Sequence, residues 1–180
     1  IENARKVAGK QLRAVQIIRD PMAMVVSGYV YDMHMDDGFH ASRLMRKTGT
    51  SSGLAMEAEF QIKNVLPNML RIYKSGLEHR DILVLRMEDF TKSSSSFDAT
   101  VARLYNHTMG GLYSAEVLAK VRELAVKEDT HRYPTPEGHS WVSPKALKAQ
   151  AQLAMESLPA DLLRQLYVYR RELGYADIED

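Results

Sequence analysis

The sequence predicts an α/β fold, a single domain spanning residues 1–180 in three layers, with a central parallel sheet flanked by helices and a helix-rich carboxyl-terminal half. Three observations carry that prediction. Leu12–Ile18 (LRAVQII) is a short, nearly continuous apolar run rich in β-branched residues, the composition of an inner strand covered on both faces. Ile82–Leu85 (ILVL) is a second such run. Between and after the two runs, apolar residues recur at helical rather than alternating intervals.

Residues 1–11 (IENARKVAGKQ) read as the frayed end of a helix leading into the first strand. Arg19 and Asp20 close that strand. Pro21 then suits the first turn of a helix, where a missing N–H costs nothing, and Asp20 stands at the N-cap position. The helix continues through Met22, Val25, Val26 and Tyr29. Ser27 lies eight positions after Arg19, about two helical turns in, and both can reach one anion at the carboxyl end of the strand, where open α/β sheets bind their ligands. The plain alternative is that Arg19 pairs with Asp20 and Ser27 is an ordinary helix residue. From Asp32 to Gly53 the periodicity dissolves into a loop or short helices. His34, Asp36, Asp37 and His40 can be drawn there as metal ligands, but no second spaced cluster completes a coordination sphere, so no metal is expected.

Ser52–Gly76 reads as one long helix whose stripe runs from Leu54 through Phe60, Leu66 and Tyr73. Pro67 kinks it and Gly76 is its C-cap. The second strand is taken as Asp81–Glu88, with Glu88 and Asp89 on opposite faces and so unable to flank one substrate; they cap the following turn or pair with Arg86. The polar stretch KSSSS at 92–96 caps a helix over about 97–109 that ends at Gly110-Gly111. Ser114 caps the next helix, whose apolar stripe is Leu118, Val121, Leu124 and Ala125. Thr130–Ser143 is a loop with two prolines and the single tryptophan, Trp141, which packs that loop onto the domain. Ser143-Pro144 and Leu158-Pro159 open the last two helices.

Composition excludes more than it selects. With 180 residues, 45% of them hydrophobic and 26% charged, the chain has the makeup of an ordinary soluble globular domain. A net charge of +1 gives no global attraction for nucleic acid or a membrane surface, so any anion site must be local. The absence of cysteine removes disulfides and thiolate metal sites and leans toward the cytoplasm. No apolar run approaches the roughly 20 residues that span a bilayer. A Golgi lumen location stays open if an anchor precedes the chain.

The segment IIRDPMAMVVSGYVY resembles the 3′-phosphate-binding segment of sulfotransferases that use 3′-phosphoadenosine-5′-phosphosulfate (PAPS), and LRMEDF at 85–90 resembles the strand end that in this family commonly reads Arg-Tyr-Glu-Asp-Leu. The resemblance covers most of residues 12–175. It implies a P-loop-like fold and transfer of a sulfonate from PAPS to a hydroxyl or amine acceptor, without a metal. By it Arg19 and Ser27 hold the 3′-phosphate, Met87 lies at the adenine where the family often has Tyr, and Arg132 in His131-Arg132-Tyr133-Pro134 is a further phosphate contact, ahead of Thr130 and Gly138. His34, Phe39 and His40 fall where the family shapes its acceptor pocket. The family's Lys-bearing phosphosulfate loop and its His base have no counterpart here, since no Gly-rich loop occurs and no His precedes Arg19. The chain is therefore expected to be the carboxyl-terminal part of such a domain, lacking its amino-terminal strand-loop-helix unit and with its catalytic residues upstream of Ile1, or else a relative that has lost catalysis. Two other classes remain: a nucleotide phosphotransferase of kinase type, which requires a phosphate loop, and a non-catalytic interaction domain of the same fold.

Overall fold

The computed structural model describes residues 12–34, 46–135 and 144–175. They form a helix-rich α/β protein with a two-stranded parallel sheet, and the chain divides into two compact units: Ile1–Ile18 with Arg71–Pro134, and Arg19–Leu70 with Thr135–Asp180. The expectations for residues 1–11, Asp36, Asp37, Phe39, His40, Gly138, Trp141 and Ser143 lie outside the described residues.

The strand unit holds β1 (Ala14–Ile18) and β2 (Ile82–Arg86), paired in parallel with Gln16 opposite Val84. The strands are not buried on both faces as their composition suggested. Only Ile18 and Leu85 are buried, and Ile17 is 50% exposed. Each strand has one hydrogen-bonded neighbour among the described residues. Two devices brace the sheet where the strands begin. His107 Nε2 lies 3.0 Å from the Ala14 carbonyl and 3.2 Å from that of Asp81. Arg13 Nη1 donates to the His107 and Gly110 carbonyls at 2.8 and 2.7 Å, satisfying acceptors at a helix end.

The second strand stops at Arg86, and Met87–Thr91 is a short helix, α4, instead of the strand end expected through Glu88. Glu88 and Asp89 sit in its first turn, where carboxylates complement the helix dipole. The next helix, α5 (Ser94–Met109), is capped by Ser93 Oγ accepting from Ser96 N–H at 3.2 Å, three residues earlier than expected. Its Phe97, Thr100 and Val101 are buried. Ser114 caps α6 (Ala115–Ala125) as read from the sequence, yet no residue of α6 is buried, and Leu124 is half-exposed. Periodicity located the apolar face; it did not say whether anything covers it.

The helical unit packs α1 (Pro21–His34), α2 (Thr50–Phe60), α7 (Lys145–Ala154) and α8 (Ala160–Glu172) around one core. Val25, Val26, Tyr29 and Val30 of α1 meet Leu54 and Ala58 of α2, Ala151 of α7, and Leu162 and Leu166 of α8. The α1–α2 contact depends on glycines. A Cβ on Gly28 would stand 2.0 Å from Glu57 Oε1, and one on Gly53 would stand 2.6 Å from the buried Tyr29 ring.

The segment from Thr50 onward is continuous, but it passes through a π-turn, Gln61–Val65, before continuing as α3 (Leu66–Glu78). The Leu66 N–H bonds Gln61 O, one residue further back than in an α-helix, immediately before Pro67, which cannot donate. The widened turn is thus the form the expected proline disturbance takes. Gly76 is no C-cap: α3 runs through it to Glu78. A Cβ there would lie 2.8 Å from Val84 Cγ2 and 3.3 Å from Ile82 Cγ2, so its role is close approach of α3 to β2. No described helix is long and apolar enough to cross a membrane.

Candidate functional site

The turn Arg19-Asp20, directly after β1 in sequence, opens the helical unit. Asp20 does two jobs with its two oxygens. Oδ1 accepts the Met22 N–H at 2.8 Å, the expected N-cap bond, and Oδ2 accepts from Arg170 Nε of α8 at 2.9 Å. The second contact is an ion pair with little access to water, the Arg170 side chain being 7% and Asp20 17% exposed. Asp20 therefore pairs with a residue 150 positions away, and not with its neighbour Arg19. Among the described residues Arg19 has no hydrogen bond or ion pair.

Arg19 instead lines a cavity of about 390 Å³, a size within the roughly 300–1,000 Å³ of small-molecule sites. Lys148 and Gln152 of α7 share its lining, with Tyr167 and Arg170 of α8 completing the polar part. Met22, Val26 and Met155 supply an apolar floor. Lys148, like Arg19, has no side-chain partner among the described residues. The Arg170 guanidinium carbon lies 6.0 Å from the centre of the Tyr167 ring, at the outer limit of a cation–π contact. The described lining thus brings together two guanidiniums and an ammonium with one carboxylate, that carboxylate held by Arg170.

The sequence-predicted residues distribute unevenly. Ser27 is on α1, one turn after Ala23, but it does not line the cavity. His34 is the last residue of α1. In the strand unit, Met87 opens α4 and is exposed. Arg132 forms a fork with Asp98, Nη1 to Oδ1 at 2.7 Å and Nη2 to Oδ2 at 2.6 Å, and its Nη1 lies 3.1 Å from Asp129 Oδ2. The hydrogen bond from Arg132 holds the Asp98 carboxyl below its ordinary range. Asp129 is fully buried, which opposes ionisation, yet bonds from Ser94 and from the His131 and Arg132 N–H groups outweigh that and lower its pKa. The charge of Arg132 is thus answered within the protein.

A second cavity of about 330 Å³ in the strand unit is lined by Ile18, Tyr73, Val84, Arg86, Asp89 and Arg103. It takes Arg86 and Asp89 of the LRMEDF segment but not Met87. Among the described residues no group of three or more His, Asp or Glu side chains is placed to hold a metal ion. Lys148, Gln152, Tyr167 and Arg170 were not legible as site residues. They look like ordinary positions on amphipathic helices, and only the tertiary packing turns them toward Arg19. Comparison with protein-family models, with curated proteins and with solved structures gives no match.

Proposed function

We propose that the protein binds the 3′-phosphate of PAPS through Arg19 and transfers its sulfonate to a hydroxyl or amine acceptor. The observation that carries this reading is the availability of Arg19: its neighbouring carboxylate is committed to Arg170 and to the α1 cap, while Arg19 itself opens onto a cavity of ligand size. A guanidinium offers a planar, permanently charged fork for phosphate oxygens. Lys148 adds a second cation and Tyr167 a ring beside it. On this reading β1 and β2 are part of a three-layer, P-loop-like sheet.

PAPS supplies an activated sulfonate whose transfer leaves a nucleotide bisphosphate. The residues of this chain bind and orient it. Arg19 neutralises phosphate charge and fixes the nucleotide by its 3′ end, while Ser27, outside the cavity lining, contributes less. Met87 presents an exposed thioether suited to a purine face. Arg132 can reach phosphate only by exchanging its bonds to Asp98 and Asp129. His34 and His40 are the acceptor-side candidates, and no general base is assigned within the chain.

Isothermal titration with 3′-phosphoadenosine-5′-phosphate tests the reading. Arg19→Ala removes a charge-assisted hydrogen bond worth roughly 1.5–3 kcal/mol, a tenfold to hundredfold loss of affinity. Ser27→Ala is expected to lose less. Equal affinity of Arg19→Ala and the parent removes the nucleotide from Arg19.

A further inference from the structure

The cavity beside Arg19 holds more positive charge than a singly charged ligand needs. Arg19, Lys148 and Arg170 bring three cations to its wall and Asp20 one carboxylate, an excess of two positive charges. The Asp20–Arg170 pair cancels internally through its 2.9 Å contact, which leaves the excess on Arg19 and Lys148. These two come from different elements, Arg19 from the turn before α1 and Lys148 from the fourth position of α7. Neither has a carboxylate partner among the described residues. Bringing two unpartnered cations to one concavity is unfavourable unless an anion completes it.

We infer that the cavity selects a dianion, the doubly ionised form of a phosphomonoester, and that Lys148 is the binding residue responsible for the second charge. The inference rests on the reading that the ligand's phosphate sits at Arg19, and it adds a residue and a charge rule to it. A phosphomonoester loses its second proton near pH 6. A phosphodiester or a sulfate ester has one charge at any pH above about 2. Among the described residues the lining includes no histidine, so the pH dependence between pH 5 and 7.5 is assigned to the ligand's second proton. Gln152, one turn from Lys148 on α7, is the neutral donor next to it, and Tyr167 and Gln152 are the uncharged polar members of the wall.

Titration of the full chain with adenosine 3′-phosphate, with its 3′-methyl diester and with inorganic phosphate tests this. The parent protein should bind the monoester roughly fivefold more tightly than the diester, a difference of the size of one partly solvated charge pair. It should also bind the monoester roughly three- to fourfold more weakly at pH 5 than at pH 7.5, as the dianion gives way to a monoanion that binds like the diester. Lys148→Gln, a change at an exposed helix position that leaves the core untouched, should weaken the monoester more than the diester and flatten the pH dependence. Monoester and diester binding equally to the parent, or Lys148→Gln leaving the difference intact, overturns the inference. If the nucleotides bind through Arg19 with no contribution from Lys148, the nucleotide reading survives and the dianion rule falls. If inorganic phosphate shows the Lys148 dependence while adenosine adds nothing to affinity, the dianion rule stands and the nucleotide reading falls.

Discussion

Replacing Arg170 with methionine isolates the contact that organises the site. Methionine keeps a long apolar stem beside Tyr167 but removes the guanidinium, so Asp20 loses its 2.9 Å partner and keeps the Met22 N–H. Breaking a buried ion pair from one side costs roughly 3–5 kcal/mol because a charge stays behind undercompensated. Asp20 retains 17% exposure and the hydrogen bond from Met22 N–H, which places the expected loss at the lower end, about 3 kcal/mol. For a chain of this length that corresponds to a fall in Tm of about 6–12 °C. Urea unfolding followed by circular dichroism reads the loss directly. Asp20→Asn is the complementary change, since asparagine preserves the N-cap acceptor and strands Arg170 instead. The double variant should lose less than the two single losses combined, by 1 kcal/mol or more. A loss below about 1 kcal/mol for Arg170→Met, or strictly additive losses, would show that the pair does not hold α8 to the start of α1, and the account of why Arg19 is left available would go with it.

Glu57 of α2 is buried, and burial pushes its carboxyl above the ordinary 4.5; the bond from Gln61 Nε2 at 2.6 Å opposes that shift and the charge of Asp32 adds to it. The folded state thus holds the proton to higher pH than the unfolded chain, so stability is greatest below about pH 4.5 for this group and falls as pH rises through its raised value; Glu57→Gln, which keeps the acceptor for Gln61, should remove that component from a stability–pH profile, and an unchanged profile would refute it. Arg19→Ala, measured without nucleotide, should raise unfolding free energy by a few tenths to about 1 kcal/mol by relieving its repulsion with Lys148. A loss of stability on that substitution would mean Arg19 has a structural role.

What the sequence made legible was local. The end of β1, the N-cap Asp20 and the helical Pro21 follow from residues within three positions of one another, and the structure places them as read. Ser114 and the carboxyl-terminal helix starts are equally local. The errors arise where one local pattern has two tertiary meanings. Gly76 is compatible with a helix end or with a helix lying close on a strand, and only the distance to Val84 decides. Met87–Thr91 continues an apolar run, but Glu88 and Asp89 side by side are also a first helical turn, and that signal was present in the sequence. The apolar stripe of α6 has the same period whether it is covered or not. Lys148 and Arg170 carry no mark of function in their own helices, because their relation to Arg19 is created by packing across more than a hundred residues of chain.

The adjacency of Arg19 and Asp20 makes the choice of partner decisive. In an extended or solvated turn, the two would satisfy each other, and Arg19 would have no charge to offer. Two features of the fold remove that option. The α1 N-terminus claims Oδ1, since the Met22 N–H has no intrahelical acceptor. Arg170, 7% exposed, claims Oδ2, since a guanidinium taken out of water needs a carboxylate far more than one at a cavity mouth does. Arg19, half-buried and still wetted by the cavity, can remain unpaired at smaller cost than Arg170 could. Competition for one carboxylate therefore leaves the less buried arginine with the uncommitted charge, and that arginine is the one that lines a cavity with Lys148.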